Sequence, residues 1–135
     1  MINHISKGPR ILLVESDFLV ATDLMYELEQ MGMVIANVSS SLAGTLTQIE
    51  RGAFDFALVN IRLRDGDSYP AAKKLKLLNI PFAFFTGYNL AEIEPEFHDV
   101  PRIPKPQDAK AVARNVYNLI FAMPEKPDLY DEALS

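Results

Sequence analysis

Apolar residues along the chain alternate between two periods. Short solid runs are followed, about five times, by segments in which apolar positions recur every three or four residues. Ile11-Leu12-Leu13-Val14 is too short for a helix and reads as a strand buried on both faces. Phe18, Ala21, Leu24, Met25, Leu28 and Met31 then follow at helical spacing, and Gly32 stops that helix. Met33 to Val38 predicts a second strand. Ser39, Ser40 and Ser41 offer an N-cap to a helix carrying Leu42, Leu46 and Ile49 up to Gly52. The run from Phe54 to Val59 predicts a third strand ending at Asn60.

Asp65-Gly66-Asp67-Ser68 has turn chemistry and leads into a helix with Ala72, Leu75 and Leu78 as its stripe. Ile80 to Phe85 predicts a fourth strand, with Pro81 tolerable only near its start. Ala91 to Glu94 is room for a short helix limited by Pro95. Val100 to Ile103 predicts a fifth strand, interrupted by Pro101. Ala109, Val112, Ala113, Val116 and Ile120 mark a last amphipathic helix, which Pro124 and Pro127 end. The expected division is an arm over 1–9, one domain over 10–122 and a loose tail over 123–135.

Strands alternating with helices imply an α/β fold with a parallel sheet covered on both faces. Such sheets place their sites beyond the carboxyl ends of the strands. Those ends carry Glu15-Ser16-Asp17, Asn60, Thr86-Gly87 and Lys105-Pro106.

Composition narrows the function classes. One domain suits 135 residues, and 49% apolar with 23% charged residues is ordinary for a globular protein. A net charge of −5 argues against nucleic acid as a partner. No apolar stretch approaches the ~20 residues needed to span a bilayer. There is no cysteine, so neither a disulfide framework nor a thiolate metal site is available. These features fit a cytoplasmic protein with no membrane partner. Lys73, Lys74 and Lys76 read as the solvated face of a helix. His4 and His98 lack a second ligand at useful spacing.

The four strand-end groups, in order, resemble the receiver domain of two-component response regulators over roughly residues 10–122. The resemblance implies a three-layer, flavodoxin-like (βα)5 fold with strand order 2-1-3-4-5. It also implies a cis bond before Pro106 and protein partners, a sensor histidine kinase or another signalling protein. In that family a strand-three aspartate accepts a phosphoryl group, and Mg²⁺ held by it, an acidic pair and a backbone carbonyl neutralises the developing charge. Phe84-Phe85-Thr86-Gly87-Tyr88 is further similar to a Phe-x-Thr-Gly-Tyr subgroup typical of alphaproteobacteria. That subgroup lacks the usual strand-five aromatic, whose position here is Arg102.

Matched residue by residue, Thr86 and Lys105 take the hydroxyl and lysine positions, and Glu15 takes the first acid. Ser16 stands at the second acid and Asn60 at the acceptor; Asp17 is out of register and suits a helix cap. A dication would see one carboxylate where the family supplies three, so metal binding is expected to be weak or absent. Asn60 is no nucleophile, and no base–nucleophile pair is visible, so the chain is not expected to be an enzyme.

The leading expectation is a stand-alone receiver acting by protein contact, through a surface of roughly residues 88–122. Its alternative is a phosphorylation-independent pseudo-receiver, and a homodimer is left open. A flavodoxin-like cofactor binder is disfavoured because Glu15 and Asp17 would repel a phosphate after strand one.

Overall fold

A computed structural model describes residues 8–123. Five parallel strands form one sheet: β1 (Arg10–Val14), β2 (Val34–Ser39), β3 (Phe56–Val59), β6 (Phe82–Thr86) and β7 (Arg102–Pro104). Their spatial order is β2-β1-β3-β6-β7. Counting only these five, that is the expected 2-1-3-4-5. Between β3 and β6 lies a separate antiparallel pair, β4 (Arg62–Leu63) and β5 (Gly66–Asp67). The turn of this small hairpin is Arg64–Asp65, so Gly66 and Asp67, expected in a turn, form its second strand, with Gly66 at φ 141°.

Among the described residues, four α-helices cover the sheet: α1 (Phe18–Gln30), α2 (Leu42–Arg51), α3 (Tyr69–Leu77) and α4 (Ala109–Ala122). Each start has a local cause. Asp17 accepts from the Leu19 and Val20 N–H groups, as its capping role predicts, Ser41 accepts from Gly44 N–H, and Asp108 accepts from Ala111 N–H. Pro70 stands in the first turn of α3, where its missing N–H costs nothing. Gly52 ends α2 in the left-handed region.

Strand alternation divides the core. Ile11, Leu13, Phe56, Leu58, Ala83 and Phe85 face α1 and α4, while Leu12, Val14, Ala57, Val59, Phe82 and Phe84 face the other layer. Phe82 and Phe84 therefore do share a face. Burial on both faces explains the unbroken apolar runs of β1 and β3.

The clearest departure lies between β6 and β7. The expected short helix over Ala91–Glu94 is two 3-10 turns, Leu90–Glu92 and Pro95–Phe97. Asn89 and Glu92 form a reciprocal capping box on the first turn, and Pro95 prevents the two from merging into one helix. The second turn drives Phe97 into the core, where it stacks on Tyr69 (5.3 Å between centroids) and meets Phe84 edge-on.

Smaller differences concern boundaries. β2 begins one residue, and β3, β6 and β7 two residues, later than their apolar runs; before β6 and β7, Pro81 and Pro101 have no N–H to donate and offer only their carbonyls, to Ala57 and Phe84 N–H. Phe18 and Leu78, assigned to buried stripes, are 80% and 51% exposed. Phe18 opens the first turn of α1, and Leu78 lies beyond the end of α3. The expected arm and tail, with His4, Pro124 and Pro127, lie almost wholly outside the described residues. Among the described residues, no helix is long and apolar enough to cross a membrane.

Candidate functional site

Parallel pairing aligns the strand ends. Glu15 N–H donates to Ser39 C=O, Asn60 N–H to Val14 C=O, and Lys105 N–H to Thr86 C=O, each within 2.9 Å. These bonds fix the backbone at three of the four predicted positions. The Lys105–Pro106 peptide is cis, as the resemblance implies.

Glu15 is the centre of the cluster and only 3% exposed. Its two oxygens have separate partners. Oε1 pairs with Lys105 Nζ at 3.0 Å, and the ammonium also lies 4.9 Å from the centre of the Phe85 ring. Oε2 accepts from Asp17 N–H at 3.0 Å and from Asn60 Nδ2 at 3.4 Å. The second of these is long, and Asn60 Nδ2 makes its firmer bond to Arg62 C=O at 2.9 Å. Both partners of that nitrogen are acceptors, which fixes the amide orientation chemically. Ser16 Oγ approaches the same Arg62 carbonyl at 3.5 Å, at the edge of hydrogen-bond range.

Glu15, Asn60, Lys105 and Ser16 are thus brought together, linked through Glu15 and Arg62 C=O. Thr86 is set differently. Its side chain is 2% exposed, and Oγ1 accepts from Tyr88 N–H at 3.1 Å, within its own loop. The carbonyl of Tyr88 accepts from Arg102 Nη1 at 3.3 Å. The Tyr88 hydroxyl beside the Arg62 guanidinium raises the pKa of that already strong base, with a smaller contribution from Asp67. The loop after Thr86 is therefore held from two sides by arginines.

Farther from the centre, the Asp65 carboxylate accepts from Leu42 and Ala43 N–H, at 2.6 and 3.1 Å. It ties the β4–β5 hairpin to the start of α2, and those two bonds lower its pKa. The lysine cluster is largely structural: Lys74 pairs with Glu50 and Lys76 with Asp99. His98 Nε2 lies 2.7 Å from Ile93 C=O.

Sequence reasoning missed Arg62, whose carbonyl and guanidinium both border the site, and the Phe85 ring beneath Lys105. It also missed Asp65. Proximity to the Asn60 strand end was the one signal pointing to Arg62. Nothing in the residue order marks a carbonyl as a site group.

The donor set does not fit the Mg²⁺ of a receiver site. Mg²⁺ wants near-octahedral oxygen ligands with carboxylate charge. Here the single carboxylate is shared among an ammonium, a peptide N–H and an amide N–H. Asn60 turns its nitrogen toward both groups that would serve a cation, Glu15 and Arg62 C=O, so a hydrogen-bond donor stands where a metal would bind. Among the described residues, no group of three or more His, Cys, Asp or Glu side chains could hold a metal.

No protein-family model and no curated protein matches the sequence. Solved structures do. The chain is 32% identical to SdrG from Sphingomonas melonis Fr1, covering 84% of this chain and 97% of that one, with a TM-score of 0.71. It is 25% identical to the non-phosphorylated HemR receiver domain from Leptospira biflexa, with 88% and 99% covered and a TM-score of 0.75. The receiver domain of PhyR from Erythrobacter litoralis shares the fold at 17% identity, with 91% and 98% covered and a TM-score of 0.73. With the sheet order in view, and 32% identity to the SdrG structure over 84% of the chain, the chain belongs to the response-regulator receiver domain family.

Proposed function

We propose that this receiver domain works in two-component signalling by docking to another signalling protein, without phosphorylation at Asn60 and without catalytic activity. One observation carries the reading. The acceptor position is an amide that donates to Glu15 and to Arg62 C=O, while Lys105 pairs with the remaining carboxylate. An amide nitrogen cannot attack phosphorus, and the lysine's charge is already matched within the site.

The partner fits the class of sensor kinases and other cytoplasmic signalling proteins. The surface we favour spans the two 3-10 turns, β7 and α4. It presents Leu90, Arg102 and Arg114, all exposed. Arg102 cannot supply the switching rotation of a strand-five aromatic. Its bond to Tyr88 C=O instead supports a loop set in one arrangement.

Beryllofluoride provides the test, since the related SdrG has a BeF3-activated conformation. Titrating the ¹⁵N-labelled chain with beryllofluoride and Mg²⁺ should leave the amide signals of Glu15, Asn60, Thr86 and Lys105 unshifted. Saturable shifts at Thr86 and Lys105 would show an acceptor-like response and defeat the proposal.

A further inference from the structure

At the end of the sheet opposite Asn60 lies an open cleft of about 980 Å³. It is lined by the entries to β3, β6 and β7 and by the last turn of α4. Phe54, Ile80 and Val100 are half-buried there, Phe82 forms part of the lining, and Phe121 and Met123 are 60% and 38% exposed. Phe54, Phe82 and Phe121 are thus grouped on one concavity.

We propose that the cleft is the docking site of the chain's own C-terminal segment, residues 124–135, with Leu129 and Tyr130 filling it. Three observations favour this occupant. The first is the point of exit. Met123 itself lines the cleft and leaves α4 in an extended conformation, φ −73° and ψ 144°. The second is composition. Pro124 and Pro127 cannot continue the helix and favour an extended path, and the apolar pair Leu129-Tyr130 lies between the acids Glu125, Asp128, Asp131 and Glu132. That pattern offers two large apolar side chains from a short solvated strap.

The third is reach and entropy. Leu129 lies six residue steps beyond Met123, which in extended chain span about 20 Å, enough to cross a cleft of this size. A tethered segment acts at an effective concentration of order millimolar, so two modest apolar contacts suffice where a free partner would need a stronger interface.

The chain has no cysteine, so one label can be placed without background. A nitroxide on Glu132→Cys should reduce the amide signals of Phe56, Ile80 and Phe82, relative to the reduced label. Leu129→Ala/Tyr130→Ala in the same labelled chain should restore those signals. Undiminished signals in the labelled chain would overturn the proposal. So would signal loss that persists in the alanine variant. Mixing ¹⁵N chain without label and labelled chain without ¹⁵N separates a second copy: signal loss in that mixture would assign the cleft to another molecule and also overturn it.

Discussion

Lys105 Nζ lies 3.0 Å from Glu15 Oε1, joining residues 90 positions apart at the carboxyl ends of two non-adjacent strands. Glu15 is almost wholly buried, whereas Lys105 keeps 27% of its side chain exposed. The pair therefore neutralises a carboxylate that has little water to solvate it.

Lys105→Met should strand that carboxylate. Losing one partner of a fully buried pair costs about 3–5 kcal/mol, and partial exposure of the lysine screens this to an expected ~2 kcal/mol. The double variant Glu15→Gln/Lys105→Met should recover most of the loss, because no unpaired charge remains. Urea unfolding of the three chains checks both expectations. A double variant less stable than Lys105→Met would contradict the pairing argument.

Asn60→Asp should destabilise the chain in metal-free buffer. It sets a second carboxylate where the amide now lies 3.4 Å from Glu15 Oε2, and it removes the donor to Arg62 C=O. Millimolar Mg²⁺ should raise the melting temperature of this variant, and raise that of Ser16→Asp/Asn60→Asp further, because binding to the folded state stabilises it. The unaltered chain should not respond. Equal responses in all three would mean that these positions do not govern metal binding.

Asp65 gives a dependence on acid. Its pKa is lowered by the Leu42 and Ala43 N–H groups, so the folded state binds its proton less readily than the unfolded chain does. The stabilisation is present above the unfolded value of about 3.9 and is lost as pH falls through the folded value. Asp65→Asn should therefore be less stable than the unaltered chain near neutrality, with the gap closing in strong acid. Unfolding curves at neutral pH and at about pH 3 measure it. A gap that widens in acid would be the wrong sign.

Phe97 anchors the segment between β6 and β7. It is 1% exposed and stacked on Tyr69. Phe97→Ala should cost about 3–5 kcal/mol. A cost like that of a surface change would show the segment to be independent of the core.

These expectations draw unequally on the sequence. β1, β3 and the four helices were legible because burial on one or two faces writes a period into the chain. Asp17 was legible as a cap because local hydrogen bonding needs only neighbouring residues. Glu15, Asn60, Thr86 and Lys105 could be located because a parallel sheet brings strand ends together. Their bonding could not be read. Whether Lys105 reaches Glu15, or Thr86 turns back to Tyr88, depends on side-chain directions across strands. The segment 88–98 was obscure for a related reason: Phe97 is buried by contacts with Tyr69 and Phe84, which lie far away in sequence. Phe18 misled because the helical period continues into a first turn that has no neighbour to cover it.

The central claim is that this receiver keeps the fold of a phosphoryl acceptor while its site is closed by Asn60, Glu15 and Lys105. Intact mass after incubation with acetyl phosphate and Mg²⁺ tests it most directly. The unaltered chain should gain no phosphoryl group, and Ser16→Asp/Asn60→Asp should gain one. A stoichiometric gain of one phosphoryl group by the unaltered chain would contradict the account.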